Sequence, residues 1–395
     1  HHPRSRVSKH ASYAQLLHAY NEAISFWDRE IVDKGLTLIL NGPREAAPIA
    51  RLHGIPFRVF AGSRFGNFHN WAWNEHLENP EFEEAYERDE GVGDHELDAP
   101  YSSHLVNRKR FIRNVSPLRL ARRAALEVAR YAWWQVRGYD KAKGYYLNEN
   151  LRYFYRIWRD WKRLKRIATA SLADLEGKSF VYYPLHLEPE AALQGLSPEY
   201  FYQLSLIAAL SRDLPAGVRL AVKEAFGAVG RRPADFYAQI AEFKNVVTLE
   251  PLEFGLECVR RADAVVTICG TAGFEGAVLG KPVIAFGHHN IYNFLPHVRF
   301  VTDEGRLKDH LREALGRDFD RGMSEAAGKR FLRAVAARSF DMRGYDFINV
   351  KDFDSRSVEE ACDALVRSIE LQFEGKVAVA TASAPEVAAR TRAAT

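Results

Sequence analysis

The stretch ADAVVTICGTAGFEGAVLGKPVIAFG, residues 262–287, decides the reading of the fold. It runs from an apolar segment (264–268) through a glycine-bounded turn into helical spacing (272–279). A second apolar segment (283–286) follows. Short runs rich in Val and Ile, closed by Gly or Pro, read as strands buried on both faces. Outward from this stretch lie three more: FVYYPL (180–185), VRLAV (218–222) and VVTL (246–249). Helical spacing falls between them over 198–212, 233–243 and 253–261. Strand alternating with helix predicts an α/β domain over residues 178–350 with a parallel, doubly wound sheet. In such sheets ligands sit outside the carboxyl ends of the strands. The informative residues are therefore His186 to Glu190, Lys223-Glu224, Glu250-Pro251, Gly270-Thr271-Ala272-Gly273 and Gly287-His288-His289.

Gly270-Thr271-Ala272-Gly273 follows a strand and opens a helix. Its backbone N–H groups and the helix N-terminus suit a phosphate, with Thr271 adding a hydroxyl. The same residues also suit an ordinary strand-to-helix turn. Neither a P-loop nor G-x-G-x-x-G is present. Glu275, one turn on, is placed to accept from ribose hydroxyls, or simply to complement the helix dipole. His186, Glu188 and Glu190 alternate along an extended segment and so share a face. Carboxylates at a strand end suit general acid–base or nucleophilic glycosyl chemistry; a solvated surface loop is the alternative. Lys223 and the Arg231-Arg232 pair are cations for an anionic ligand, Lys223-Glu224 being otherwise an ordinary ion pair. The two Asp-x-Asp strings, 318–320 and 352–354, fall far past the strands and read as helix caps, not metal ligands. No G-x-S-x-G elbow occurs, which disfavours a serine hydrolase.

With 395 residues, 47% of them hydrophobic and 27% charged, the chain has material for two soluble domains. Three cysteines (Cys258, Cys269, Cys362) exclude a disulfide scaffold and zinc spacing, and point to the cytoplasm. No apolar run approaches the roughly 20 residues that span a bilayer. No signal peptide is read, and His1-His2 reads as the remnant of a tag.

The net charge of +4 hides two blocks. Residues 75–98 carry eleven acids against Arg88 and read as a solvated loop. Residues 108–166 carry eighteen Lys/Arg against four acids, and hold Trp133, Trp134, Trp158 and Trp161. Cations interleaved with aromatics suit an anionic surface. A helical linker with aromatics packed inward is the alternative. No nucleic-acid module surrounds the block, so nucleic acid is not expected.

Residues 1–170 read as a first domain: a helix over 12–34, strands over 36–41 and 55–61 with a helix between, the acidic loop and the basic helices. That is thin for a complete Rossmann-like domain and leaves room for part of it upstream of His1. SLADLEGKS (171–179) reads as a linker, 355–375 as a last helix with Ser357 as N-cap and Glu360 completing a capping box, and 376–395 as a disordered tail.

The ordered motifs PLHLEPE (184–190), VKE…GRRP..FY (222–237), ADAVVTICGTAGFEG…GKPVIAFG (262–287) and Tyr292 resemble the bacterial capsule polysaccharide biosynthesis family, in particular its retaining β-Kdo glycosyltransferases. The resemblance covers roughly residues 180–302. It implies a GT-B-like fold, two Rossmann-like domains facing a cleft, and a transferase that moves Kdo from CMP-β-Kdo to a growing glycan with retention. It implies a lipid-linked glycan acceptor of capsule or O-antigen type, work at the cytoplasmic face of the inner membrane, and no metal or other cofactor. The family's carboxylates map to Glu188 and Glu190, and the glycine turn with Glu275 would hold the nucleotide. Lys223-Glu224 matches the start of a Lys-Glu-His-Pro motif, where Ala225-Phe226 replaces His-Pro. Phosphate binding would then pass to Arg231, Arg232 or a histidine of the His288-His289 pair. Kdo carries a carboxylate beside its reacting carbon. Two anions 4 Å apart repel by about 4 kcal/mol at an effective dielectric near 20, so a nearby cation is required. A sialic acid or hexose donor, or a non-catalytic glycan-binding role in assembly or export, are the other readings.

Overall fold

The structure is a computed structural model that describes residues 11–93, 95–97, 101–140, 147–168, 170–188, 192–342 and 355–373. The chain opens with α1 (Tyr13–Lys34), β1 (Ile39–Leu40), α2 (Ala46–Leu52), β2 (Phe57–Gly62), β3 (Phe68–Ala72) and α3 (Glu81–Glu87). The basic helices follow: α4 (Tyr101–Asn114), α5 (Pro117–Val136) and α6 (Leu147–Ile167). Next come β4 (Phe180–Pro184), α7 (Gln203–Asp213), β5 (Arg219–Lys223), α8 (Phe236–Glu242), β6 (Val246–Thr248), α9 (Gly255–Arg261) and β7 (Ala264–Thr267). Then follow α10 (Thr271–Val278), β8 (Val283–Ala285), β9 (Val298–Phe300), α11 (Leu307–Ala314), α12 (Arg321–Ala337), β10 (Phe340–Asp341) and α13 (Ser355–Phe373). Two compact units result: Ala99–Gly328 with His1–Arg4, and Ser5–Asp98 with Lys329–Thr395.

The larger unit is built on a six-stranded, all-parallel sheet in the order β6-β5-β4-β7-β8-β9. Its strands are apolar because both faces are covered: Val181, Tyr183, Leu220, Val222, Val265, Val266 and Ile284 are fully buried. Each such aliphatic side chain contributes about 1.5–3 kcal/mol by leaving water. Leu206, Ile207 and Leu210 of α7 cover one face, and Phe274 and Ala277 of α10 the other. The strand order reverses between β4 and β7, which makes their carboxyl ends the topological switch point.

The smaller unit has a mixed sheet, β1-β2-β3-β10, in which β1 and β2 are parallel and the other pairs antiparallel. Its helix α1 starts with a capping box between Ser12 and Gln15 and stops at Gly35, whose φ of 58° suits glycine. Ile31 of α1 packs with Ala47, Ile49 and Phe57 in one core.

The fold class is α/β, as expected from the sequence, and the strands at 180–185, 218–222, 246–249, 264–268 and 283–286 form within one residue of those limits. Several elements differ. The strands β3, β9 and β10 escape the periodicity, because β3 (FHNWA) mixes polar and aromatic residues and the other two are three residues or fewer. The acidic block is not all loop. It contains α3, which buries Phe82 and Ala85, three residues apart on one face. Three of its acids are paired: Arg51 grips Glu75 at 2.6 and 2.7 Å, Arg330 and Arg333 lie 3.3 Å from Asp89, and Arg338 pairs with Glu90, while Glu83, Glu87 and Glu96 are exposed.

The sequence divides the chain near residue 170, whereas the basic helices group with the six-stranded sheet. Phe111 of α4 stacks on Phe226 (4.9 Å, 12°), and α6 packs on α8, with Ile157 so close to Gly230 that a Cβ there would meet its backbone nitrogen at 2.8 Å. Residues 171–179 are accordingly part of that unit, with Leu172 and Leu175 buried. In the basic block Trp158 and Trp161 pack against a core of Val115, Leu120, Phe154 and Ile157, while Trp133 is exposed. Asp320 caps α12 through its side chain to Met323 N, as expected; residues 352–354 lie outside the described residues. The last helix begins at Ser355, which puts Ser357 inside it and not at its cap. The tail 376–395 lies outside the described residues.

Candidate functional site at the switch between β4 and β7

The chain leaves β4 into Leu185-His186-Leu187-Glu188 and leaves β7 into Cys269 and the glycine turn. The His186 ring bridges the two, its Nε2 accepting from Cys269 N at 3.2 Å. Acceptance at Nε2 fixes the neutral tautomer with its proton on Nδ1. The main chain of His186 is clamped. Its N–H donates to Gln203 Oε1 (2.7 Å), and its carbonyl accepts from Gln203 Nε2 (3.0 Å) and Arg232 Nη2 (2.6 Å).

Below this clamp lies a buried ionic network. Arg232 meets Glu224 through Nε and Nη2, both at 2.9 Å, and lies 3.1 Å from Glu188 through Nη1. Gln203 donates to Glu188 at 2.5 Å, and Tyr237 and Ala225 N donate to Glu224 at 2.9 and 2.8 Å. All three charged side chains are 1% exposed or less. Burial disfavours the guanidinium charge, but Glu224 and Glu188 outweigh it and raise the Arg232 pKa. Burial, and then Glu224, pushes the Tyr237 hydroxyl well above its usual range, so it stays a donor.

The other face of the sheet carries a different group. Lys223 ends β5 half-buried, its Nζ 5.5 Å from the Phe226 ring centroid. Among the described residues its ammonium has no hydrogen bond or ion pair. Burial lowers its pKa, against the pull of Cys258, Glu224, Glu253 and Glu275. Cys258 is pushed up to about 12 by burial, with Lys223 opposing, and is a thiol at neutral pH.

Over both faces stands the turn into α10. Gly270 is the N-cap with no side-chain cap; its own N–H donates to Thr267 Oγ1 (3.0 Å) and Gly273 N donates to Gly270 O (3.2 Å), which leaves the amides of Thr271 and Ala272 without helical partners. Gly273 is required by space: a Cβ would meet Tyr292 Oη at 2.3 Å and Thr267 Cγ2 at 2.4 Å. Gly287 is required likewise, since a Cβ would meet Ile268 O at 2.5 Å. Asn290 donates to Ile268 O and Gly287 O (2.9 and 3.0 Å), tying the loop after β8 to the end of β7.

The structure thus brings together His186, Gly270, Thr271, Ala272 and Gly273 at the switch point, with Thr271 exposed; Lys223 ends the neighbouring β5. Glu275 sits half-buried within electrostatic reach of Lys223 and Tyr182. Three expectations change. Glu188 and Glu224 are committed to Arg232, so neither is an open carboxylate. Arg232 is likewise consumed and is no clamp for a ligand; Arg231 beside it is exposed. His288 is exposed and packs edge-on to Phe300 of β9 at 4.8 Å, two strands from the switch. Glu250 follows the edge strand β6, also away from it. Glu190 lies outside the described residues. Gln203 and Asn290 escape sequence reasoning. A signal exists for Gln203, which opens the series 203, 206, 207, 210 and is a polar residue on the buried face of α7.

No protein-family model and no curated protein matches the chain. Among solved structures it is similar to the β-Kdo 2,4 transferase KpsC of Thermosulfurimonas dismutans, at 14% identity over 75% of this chain and 80% of that one, with a TM-score of 0.34. The β-Kdo 2,7 transferase KpsC of the same organism gives 19% identity over 55% and 62%, with a TM-score of 0.29. The UDP-GlcNAc 2-epimerase of Methanocaldococcus jannaschii gives 9% identity over 80% of each chain, with a TM-score of 0.30. At TM-scores this low, these likenesses decide neither fold nor activity.

Proposed function

We propose that the chain is a glycosyltransferase that binds a nucleotide sugar at the switch point between β4 and β7. What carries the reading is the pairing of two features: a helix N-terminus without a side-chain cap behind a glycine turn, and the Lys223 ammonium, which among the described residues makes no ion pair although Glu224, Glu253 and Glu275 act on it from farther off. Backbone amides and a desolvated cation together stabilise phosphate negative charge as it develops on the leaving group. His186, neutral and held by Cys269 N, lines the same turn.

The finer reading follows the motif resemblance. The donor is CMP-β-Kdo and the acceptor a lipid-linked glycan at the cytoplasmic face of the inner membrane. Glu190 is the carboxylate we assign to attack the anomeric carbon, expelling CMP; the acceptor hydroxyl then displaces Glu190, its proton passing to the expelled CMP phosphate, giving net retention. Lys223 offsets the repulsion between that carboxylate and the one on Kdo. Glu188 and Glu224 become positioning residues: with Arg232 and Gln203 they fix the main chain of His186. No metal is invoked. The substitution of His-Pro by Ala225-Phe226 has a use here, since Phe226 seats α4 through Phe111.

One observation favours a second reading, a non-catalytic glycan-binding protein: Glu188 and Arg232 are both spent in a buried network. Calorimetric titration with CMP, UDP, GDP and ADP separates the two. Binding of CMP alone supports the Kdo reading, binding of UDP or GDP keeps transfer but discards Kdo, and no binding leaves the second reading. Glu190→Gln is expected to abolish transfer from CMP-β-Kdo with CMP binding intact; full activity overturns its assignment.

A further inference from the structure

Helix α5 has two unlike sides. Leu120 and Ala124 face inward, where they pack with Phe154 and Ile157 of α6. The opposite side carries Leu118, Ala125, Ala129 and Val136, at spacings of seven, four and seven that keep them on one face. Leu118 and Val136 are 82% exposed, Leu126 57% and Trp133 51%. The stripe runs for about 27 Å at 1.5 Å per residue. Arg119, Arg123, Arg130 and Arg137 recur at four, seven and seven along one flank, and Arg122 lies within the stripe. The only acid on the helix, Glu127, is taken by Arg130. The Arg137 guanidinium stands 4.6 Å over the Trp133 ring.

We propose that α5 lies in the headgroup layer of an anionic bilayer, with Leu118, Trp133 and Val136 inserted and Arg119, Arg122 and Arg137 on lipid phosphates. This rests on the membrane-side placement of the preceding reading and not on its transfer chemistry. An apolar stripe edged by arginines and carrying an exposed tryptophan matches the depth profile of a lipid interface, apolar below and anionic above. The charge excludes spanning, and among the described residues no helix is long and apolar enough to cross. A second copy fits the face poorly. An antiparallel two-fold contact through α5 would set the two arginine rows on one edge, and any contact through the stripe would cover Arg122.

The test is flotation of the whole chain with vesicles of 70% phosphatidylcholine and 30% phosphatidylglycerol, and with phosphatidylcholine alone. Binding is expected with the anionic vesicles and at least about tenfold weaker with the neutral ones. Arg119→Gln with Arg122→Gln is expected to weaken it about 25-fold, at roughly fivefold per arginine. Leu118→Ser, Trp133→Ser and Val136→Ser together should weaken it by at least about tenfold while leaving the circular dichroism unchanged, since all three are exposed. Binding indifferent to phosphatidylglycerol overturns the proposal, as does binding unchanged by both variants. So does a wild-type dimer that the triple variant dissociates. CMP calorimetry on the same preparations keeps the two readings apart. Vesicle binding without CMP binding sinks the transferase reading alone, and CMP binding without vesicle binding sinks this one alone.

Discussion

Arg232→Met removes the one cation between two buried carboxylates. Methionine keeps an unbranched chain against the Phe236 ring, over which the guanidinium stands at 4.8 Å, so the loss is of charge and not of packing. Three hydrogen bonds disappear, two to Glu224 and one to the His186 carbonyl, together with the 3.1 Å contact to Glu188. Breaking a buried ion pair from one side costs about 3–5 kcal/mol, because the partner stays buried and uncompensated. Two carboxylates are stranded here, each 1% exposed, which places the expectation near 5 kcal/mol. With a urea m-value near 3 kcal/mol/M, the midpoint falls by about 1.7 M. Urea titration followed by circular dichroism reads it, each transition fitted separately because two units can unfold in two steps. Glu224→Gln in the Arg232→Met background should recover part of the loss, with a coupling of about 2–3 kcal/mol. A fall below about 0.5 M, or strictly additive losses, would refute the network as the element that fixes His186.

Lys223→Met should weaken CMP binding about tenfold, near 1.4 kcal/mol, without lowering the unfolding midpoint. Burial lowers the Lys223 pKa, so wild-type affinity for CMP should fall as pH rises through that lowered value, before the ordinary lysine value of 10.5. The variant should show no such fall. The sign for stability is opposite: in that window the unfolded chain binds more protons, so folding strengthens with pH. Gly273→Ala forces a methyl against Tyr292 Oη and should cost about 1–3 kcal/mol and abolish CMP binding, read by thermal unfolding and calorimetry on one sample. Unchanged binding would place the nucleotide elsewhere.

The larger sheet is legible because parallel strands covered on both faces leave short apolar runs closed by turn residues. The glycine turn is legible for a related reason: only glycine fits where a Cβ would meet Tyr292 or Ile268 O. The smaller sheet is legible only in β1 and β2, which fall on the strands expected over 36–41 and 55–61. His69 and Asn70 interrupt β3, and β10 is two residues whose partner is about 270 positions away. In the site, residue types were readable but their pairings were not. Glu188, Glu224 and Arg232 look like three functional groups in sequence. In space they neutralise one another, a fact of register between β4, β5 and the loop before α8. Gln203, which orders them all, is one amide in an otherwise apolar helix face.

The pairing of Phe340 with His69 and of Asp341 with Phe68 has a consequence for synthesis. A ribosome delivers the chain from N- to C-terminus, and all six strands of the larger unit lie in one stretch, Ala99–Gly328, that emerges without interruption. The smaller unit is interrupted: β1, β2 and β3 emerge first and wait for β10 while more than two hundred residues are made. At 5–20 residues per second that interval is tens of seconds, during which β3 presents an open edge to any other nascent strand. The hydrogen bond from Trp71 to Ser368 closes only after that. The segment around β10 is therefore what ends the exposure of β3, and truncation before residue 340 would leave that strand without its edge partner.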